Sequence, residues 1–349
     1  MPFGFAGVYD GADVVRPSEG PSLSPGRSKP VSKGTLHMKA AVYARYGPPE
    51  VLSIQEVETP VPRSDEVRVR IRATTVTGSD VLVRGFALKG WIWVLGRLAL
   101  GITGPRQRIL GFVLAGEIDS VGSDVTRFKV GDAVFGSTMA MPSRPRLGTY
   151  AEYKCLPEDS VLLAKPSNTN FEEAAAIPYG GAIGLHFLRK GSIRADSRVL
   201  VYGASGAIGT AAVQLARHFG AHVTGVCSTG NMELVESLGA HAVIDYTNED
   251  VAARSERYDL ILDTVPARSA DRRGLRKRCR GLLRPNGRHV DIDDGRPTMG
   301  LETLVFLKDL VETGHFRPVI DRVYPLEHIV EAHRYVETGR KRGNVIITL

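Results

Sequence analysis

The run Val199-Leu-Val-Tyr-Gly203-Ala-Ser-Gly206-Ala-Ile-Gly209 constrains this chain more than any other feature. An apolar stretch leads into three evenly spaced glycines, and an apolar-periodic segment follows with Ala212, Val213, Leu215 and Ala216. A glycine triplet alone says little; between a buried strand and an amphipathic helix it has a physical task. Gly203 permits the tight turn, Gly206 lets backbone amides approach a pyrophosphate, and Gly209 lets the helix pack close on the strand. The helix N-terminus then turns its partial positive charge toward the phosphates. Gly203, Ala204, Ser205, Gly206, Ala207, Ile208 and Gly209 are therefore the expected dinucleotide-binding residues.

Strands and helices alternate around this motif. Val199–Tyr202, His222–Val226, Ala242–Asp245 and Leu260–Leu262 read as strands, Thr210–Phe219 and Met232–Leu238 as helices. That order means parallel strands joined by crossover helices, a doubly wound Rossmann domain over residues 166–315. Residues 38–165 read differently: short strands broken by turns. Val67–Ile71 alternates apolar residues with arginine, and Ile118–Val121 and Ala133–Phe135 frame the Gly131-Asp132 turn. The expectation is an α/β chain with a second, mostly β domain, and with residues 316–349 returning to it through the strand Val345–Thr348. Two domains suit 349 residues. Residues 1–37, rich in Gly, Pro and Ser, read as a disordered leader or as translation begun upstream of the real start.

Several function classes drop out. Cys155, Cys227 and Cys279 are too far apart for a disulfide framework or a CxxC metal pattern, so a reducing, cytoplasmic compartment is expected. No secretory signal opens the chain. The most apolar stretch, Trp91–Ile102, is interrupted by Arg97 and too short to span a bilayer, so no membrane partner is expected. The formal charge of +7 is partly local, with Arg272, Arg273, Arg276, Lys277, Arg278 and Arg280 in one stretch. Such a run is either a solvated helix face or an attractor of polyanions. A phosphorylated cofactor also suits a basic chain, and nucleic acid is not the expected partner.

The strand after the glycine turn decides between dinucleotides. NAD sites place an acid about 20 residues on, to hold the ribose hydroxyls. Here the strand ends Gly225-Val-Cys-Ser228-Thr229-Gly230-Asn231, with no acid. Its absence leaves room for a 2′-phosphate, to which Ser228, Thr229 and Asn231 offer polar groups, with Tyr246 at the same edge. No Arg or Lys follows directly. A hydrogen bond to a charged group contributes about 1.5–3 kcal/mol, so preference for NADPH should be weaker by roughly one to two orders of magnitude than with a basic residue there. NADPH is the expected cofactor, and NADH the other candidate.

Longer stretches carry a family resemblance. These are Met38-Lys-Ala with Tyr46-Gly47 and Pro49-Glu-Val-Leu52, Gly116-Glu-Ile-Asp-Ser-Val-Gly122, Phe128-Lys-Val-Gly-Asp132-Ala-Val-Phe-Gly136 and Gly148-Thr-Tyr-Ala-Glu-Tyr153. Glu172-Glu-Ala-Ala-Ala176, Arg317-Pro-Val-Ile-Asp-Arg322, Glu331-Ala-His and Gly343-Asn-Val-Ile continue the match. From Met38 onward the chain resembles the medium-chain dehydrogenase/reductase superfamily, in its zinc-free quinone oxidoreductase-like branch. The resemblance implies a GroES-like substrate domain, a Rossmann cofactor domain and an active site in the cleft between them.

Many members carry a catalytic zinc. The position implied for its cysteine holds Thr77, that for a His-Glu pair holds Phe112-Val113 behind Gly111, and no Cys lies near Tyr179-Gly180. A catalytic zinc needs about three N, S or O ligands from the protein, so no metal is expected. Without a Lewis acid, quinones and α,β-unsaturated carbonyls, which spread developing charge themselves, suit the site best. The resemblance puts Ser79 where zinc-dependent relatives keep a proton-relay hydroxyl, making it the first candidate proton donor. Tyr150 and Tyr179 follow it, and Asp80 reads as a structural acceptor. Phe86, Leu88, Trp91, Trp93, Val94 and Leu98 either line a pocket for a small apolar substrate or pack as a lid on the fold or on a second subunit of a homodimer.

Two departures stand out. Val113 replaces an acid that relatives often carry. Between Ile292 and Leu301 relatives carry a few dozen more residues, including a strand that completes the sheet beside the nicotinamide. The residues leave three readings: a reductase of quinones or enones, a trans-acting enoyl reductase of a biosynthetic pathway, and a non-catalytic NADPH-binding sensor.

Overall fold

Alternation in Glu66–Val76 (β3) builds the larger sheet of the fold. Val67, Val69 and Ile71 are buried against Leu114, Ile118, Val134, Leu156 and Leu162. Each contributes roughly 1.5–3 kcal/mol by leaving water. The intervening arginines face outward, where Arg68 forms a two-pronged pair with Asp119 at 2.9 Å for each contact. The computed structural model describes residues 36–86, 96–98, 100–139, 147–265, 275–295, 297 and 299–349. Most of the expected leader thus lies outside the described residues.

β3 pairs antiparallel with Val113–Val121 (β4), which pairs with Ala133–Ser137 (β5); Tyr153–Pro157 (β6) also pairs with β3, and Leu162–Ala164 (β7) with β5. His37–Tyr43 (β1) and Leu52–Glu58 (β2) form a hairpin, bridged to the rest at Ala40–Ala151 and Val42–Ile109. Beside β3, Gly78–Gly85 forms the helix α1.

The second sheet is wholly parallel. Arg198–Tyr202 (β8), His222–Cys227 (β9), Ala242–Asp245 (β10), Tyr258–Asp263 (β11) and Leu283–Asp291 (β12) take the order β10-β9-β8-β11-β12. Val199, Leu200 and Val201 are fully buried, as a parallel strand covered on both faces requires. The fold class read from the sequence is the one found. Among the described residues β12 is the last strand on its side of the sheet, and the chain goes from it to a helix at Leu301.

The helix Phe171–Lys190 (α2) joins the two sheets, packing on β3, β4, β5 and on Ala207–His218 (α3). Asn170 caps it: its side-chain oxygen accepts from the Glu173 amide at 2.7 Å, while its own amide donates to the Glu173 carboxylate at 2.9 Å. Small residues let α2 and α3 close up, since a Cβ at Gly180 would sit 2.3 Å from the Ala207 carbonyl oxygen. Met232–Ser237 (α4), Leu275–Arg278 (α5), Leu301–Glu312 (α6) and Ile329–Glu337 (α7) are further helices.

The last segment crosses back. Ile320–Pro325 (β13) pairs parallel with Asn344–Thr348 (β14), and β14 pairs antiparallel with β3. No helix among the described residues is long and apolar enough to cross a membrane.

Candidate active site

The glycine turn leaves β8 with Gly203 at φ +78°. The Gly203 and Ala204 amides donate to the Val226 carbonyl at 3.1 and 3.0 Å, and the Thr264 hydroxyl donates to the Tyr202 carbonyl at 2.8 Å. These bonds tie the turn to β9 and to the end of β11. A Cβ at Gly209 would sit 2.1 Å from the Gly203 carbonyl oxygen, so no larger residue lets α3 start so close to the strand. At Gly206, the helix cap, a Cβ would meet only the Gly203 oxygen at 3.6 Å. The approach to Gly206 is therefore open, and the Ala207 and Ile208 amides of the first turn lack intrahelical acceptors. A dinucleotide pyrophosphate fits such a cradle. α3 opens at Ala207 rather than Thr210, so the glycine turn runs directly into the helix.

At the end of β9, the Asn231 side-chain amide donates to Ser205 Oγ and to Ser228 Oγ, both at 3.1 Å. It locks the glycine turn to the loop expected to meet the ribose. The Ser228 oxygen accepts there, leaving its proton to offer outward. Thr229 differs: its hydroxyl donates to the Asp245 carboxylate, so here it offers an incoming phosphate no proton.

Asp245 is a residue that sequence reasoning missed. It also accepts from the Thr247 amide at 3.0 Å, the Thr247 hydroxyl at 2.6 Å and the Asn248 side chain at 2.7 Å. The Thr229 hydroxyl, then the Thr247 hydroxyl, hold its carboxyl below the ordinary range. The signal was the Asp-Tyr-Thr-Asn run closing β10, a local side-chain-to-backbone turn. Tyr246 stacks on Tyr202 with ring centroids 6.3 Å apart, and both line a cavity of about 540 Å³ with Asp250, Arg278 and Cys279.

The other end of the site holds hydroxyls. Ser79 Oγ lies 3.2 Å from the Tyr179 hydroxyl, which follows Pro178 in α2. Burial pushes the Tyr179 phenol up, so it stays neutral. Gly180, the next residue, touches the first turn of α3, so one helix positions both the hydroxyl pair and the glycine turn. Tyr150 is placed elsewhere. It is fully buried, donates to the Thr75 carbonyl at 3.3 Å and sits edge-on to His333. It has no hydrogen bond to the Ser79 pair among the described residues.

Asp80 is fully buried, accepting from the Thr77 hydroxyl at 2.6 Å, the Thr77 amide at 2.8 Å and the Gly111 amide at 3.1 Å. Burial pushes its carboxyl up to about 6. Thr77 thus caps α1, Phe112 and Val113 are core, and Tyr179 pairs with Ser79. Among the described residues no three His, Cys, Asp or Glu side chains gather as a metal site. Of the apolar wall, Leu88, Trp91, Trp93 and Val94 lie outside the described residues. Phe86 packs at a tilt against Tyr46, ring centroids 4.7 Å apart, under the Arg97 guanidinium, and Leu98 is exposed. Of the basic stretch, Arg272 and Arg273 lie outside, while Arg276 pairs with Asp294 at 3.2 Å.

Known proteins resemble this chain in sequence and fold. An alcohol dehydrogenase GroES-like domain model matches residues 63–167, and zinc-binding dehydrogenase models match residues 207–291 and 298–347. A 2-methylene-furan-3-one reductase of Solanum lycopersicum is 33% identical over 323 residues, covering 89% of this chain and 79% of that protein. A quinone oxidoreductase of Mus musculus is 31% identical, covering 91% of this chain and 100% of its own. The solved structure of the Coxiella burnetii quinone oxidoreductase superposes with a TM-score of 0.74 at 26% identity, over 90% of this chain and 100% of that one.

Proposed function

The chain belongs to the medium-chain dehydrogenase/reductase superfamily, in its quinone oxidoreductase-like branch, as an oxidoreductase using a nicotinamide cofactor, and from that premise we propose a zinc-independent, NADPH-dependent reductase of quinones or α,β-unsaturated carbonyl compounds. The observation that carries this reading is the Ser79–Tyr179 hydroxyl pair at 3.2 Å, a proton-delivering arrangement built from hydroxyls alone.

Gly203–Gly209 hold the pyrophosphate, and Ser228, Asn231 and Tyr246 border the adenosine end. The bound cofactor supplies hydride from its reduced nicotinamide. Ser79 donates a hydrogen bond, and then a proton, toward the substrate oxygen; the Tyr179 phenol replenishes it and takes its own proton back from water, so the phenol ends the turnover neutral. A positioned general acid of this kind contributes about 10²–10⁴-fold to rate. A small apolar substrate that spreads its own charge needs no Lewis acid. A cytoplasmic location and the absence of nucleic-acid or membrane partners belong to the same reading.

The test is NADPH oxidation by the full chain with quinones, enones and enoyl thioesters, in chelator, with NADH in parallel. Turnover of quinones or enones that survives chelation is the expected result. Best turnover on enoyl thioesters would make it an enoyl reductase instead. The second reading, a non-catalytic NADPH-binding protein, is favoured by β12 standing at the end of the sheet among the described residues. Tight NADPH binding with no turnover on any acceptor would establish it over the reductase.

A further inference from the structure

We propose that Arg342, on the strap that carries the chain from α7 back into β14, recognises the 2′-phosphate of NADPH. This rests on the NADPH reading above and supplies the cation missing from the strand after the glycine turn.

The strap is fastened to the cofactor loop. The Gly343 amide donates to the Ser205 carbonyl at 2.8 Å, and Gly343 bridges in parallel to Gly206. On the other side, the Arg342 amide donates to the Asp321 carboxylate at 2.9 Å, itself held by the Tyr335 hydroxyl at 2.7 Å. The Asn344 amide and side chain both reach the Val319 carbonyl, at 2.8 and 3.0 Å. The backbone of residues 342–344 is thus held from both sides and bonded to the glycine turn itself.

This fixes where the guanidinium goes. Arg342 Nη2 lies 3.5 Å from the point a Cβ of Gly230 would occupy, inside the Ser228–Asn231 turn. That turn closes β9, where dinucleotide folds read the 2′ position of the ribose. The side chain is exposed and has no hydrogen-bond or ion-pair partner among the described residues. Its neighbour is committed: the Lys341 ammonium donates to the Gly343 carbonyl at 2.6 Å. Across the turn, Asp245 is engaged by four donors from Thr229, Thr247 and Asn248, which blunts its repulsion of an arriving phosphate. A planar guanidinium matches a phosphate in two-pronged fashion, and its preorganised fork loses little freedom on binding.

The experiment is calorimetric titration of the full chain with NADPH, NADH, 2′,5′-ADP and 5′-AMP, in wild type, Arg342→Ala, Arg342→Lys and the exposed neighbour Arg340→Ala. Loss of one charged hydrogen-bonding group should weaken NADPH and 2′,5′-ADP roughly ten- to a hundredfold in Arg342→Ala. NADH and 5′-AMP should bind unchanged, Arg342→Lys should recover part of the loss, and Arg340→Ala should match wild type. An NADPH-to-NADH preference that survives in Arg342→Ala overturns the assignment, as does an equal loss for both cofactors. So does a preference removed by Arg278→Ala, on the wall of the Tyr246 cavity, and kept in Arg342→Ala. A wild type without preference sinks the NADPH reading itself, whereas preference without turnover sinks only the reductase.

Discussion

The Ser79 hydroxyl stands 3.2 Å from the Tyr179 hydroxyl, joining the first helix beside the β domain to the helix that braces the glycine turn. If the two act as one proton-delivery unit, Ser79→Ala and Tyr179→Phe should each lower kcat by roughly a hundredfold. The double variant should be little worse than the worse single one, because members of a unit are not additive. Cofactor affinity should stay the same in all three. Full turnover in either single variant would remove the pair from the reaction.

Ser228 and Thr229 look equivalent in the sequence and are not in the fold. Ser228 accepts from Asn231 and keeps its proton, whereas Thr229 gives its proton to Asp245. Ser228→Ala should therefore weaken NADPH by about tenfold or more, the range for one hydrogen bond to a charged group. Thr229→Val should weaken it clearly less. Equal losses, measured by fluorescence titration, would mean that Thr229 leaves Asp245 when the phosphate arrives.

His333 predicts the acid limit of the fold. The ring is fully buried, neither nitrogen has a hydrogen-bond partner among the described residues, and burial, with Arg84 beside it, depresses its pKa to about 3. The unfolded chain takes up this proton near 6.5, so stability is intact above that pH and is lost as pH falls toward 3, by on the order of 5 kcal/mol. Asp80 acts in the opposite sense. Its carboxyl, raised by burial to about 6, favours the native state at low pH, and that contribution declines as pH rises from about 4 to about 6. His333→Leu should keep the packing and flatten the acid limb of a denaturant titration. An unchanged limb would place the acid sensitivity elsewhere.

The strands were legible because burial leaves a periodic mark. Val67–Ile71 shows its two faces, and Val199–Tyr202 shows that it has none exposed. The glycine turn was legible because backbone geometry demands its residue types. α2 was not read as a helix, since Pro178 and two successive glycines argue locally against one, although the Asn170–Glu173 cap announced its start. Asp245 holding Thr229 and Arg342 beside Gly230 are contacts between residues distant in sequence, and no local pattern reports them. Tyr150 illustrates the converse. Its hydroxyl made it a candidate on paper, but only the fold shows it sealed against Thr75 and His333.

Gly180 tests whether that bracing helix sets the cofactor site. A Cβ there would lie 2.3 Å from the Ala207 carbonyl oxygen and 3.6 Å from the Ile208 nitrogen, at the first turn of α3. Backbone cannot yield as a flexible side chain does, so Gly180→Ala must push α2 and α3 apart. Overpacking of this kind costs about 1–3 kcal/mol, read as a lower denaturation midpoint. The same displacement moves the Ala207 and Ile208 amides relative to the pyrophosphate and moves Tyr179 away from Ser79. NADPH affinity and kcat should therefore fall together. A Gly184→Ala control faces α3 at an ordinary 3.4 Å or more and should cost much less. Equal destabilisation by the two, with unchanged affinity and turnover in Gly180→Ala, would show that α2 braces the fold without positioning the site.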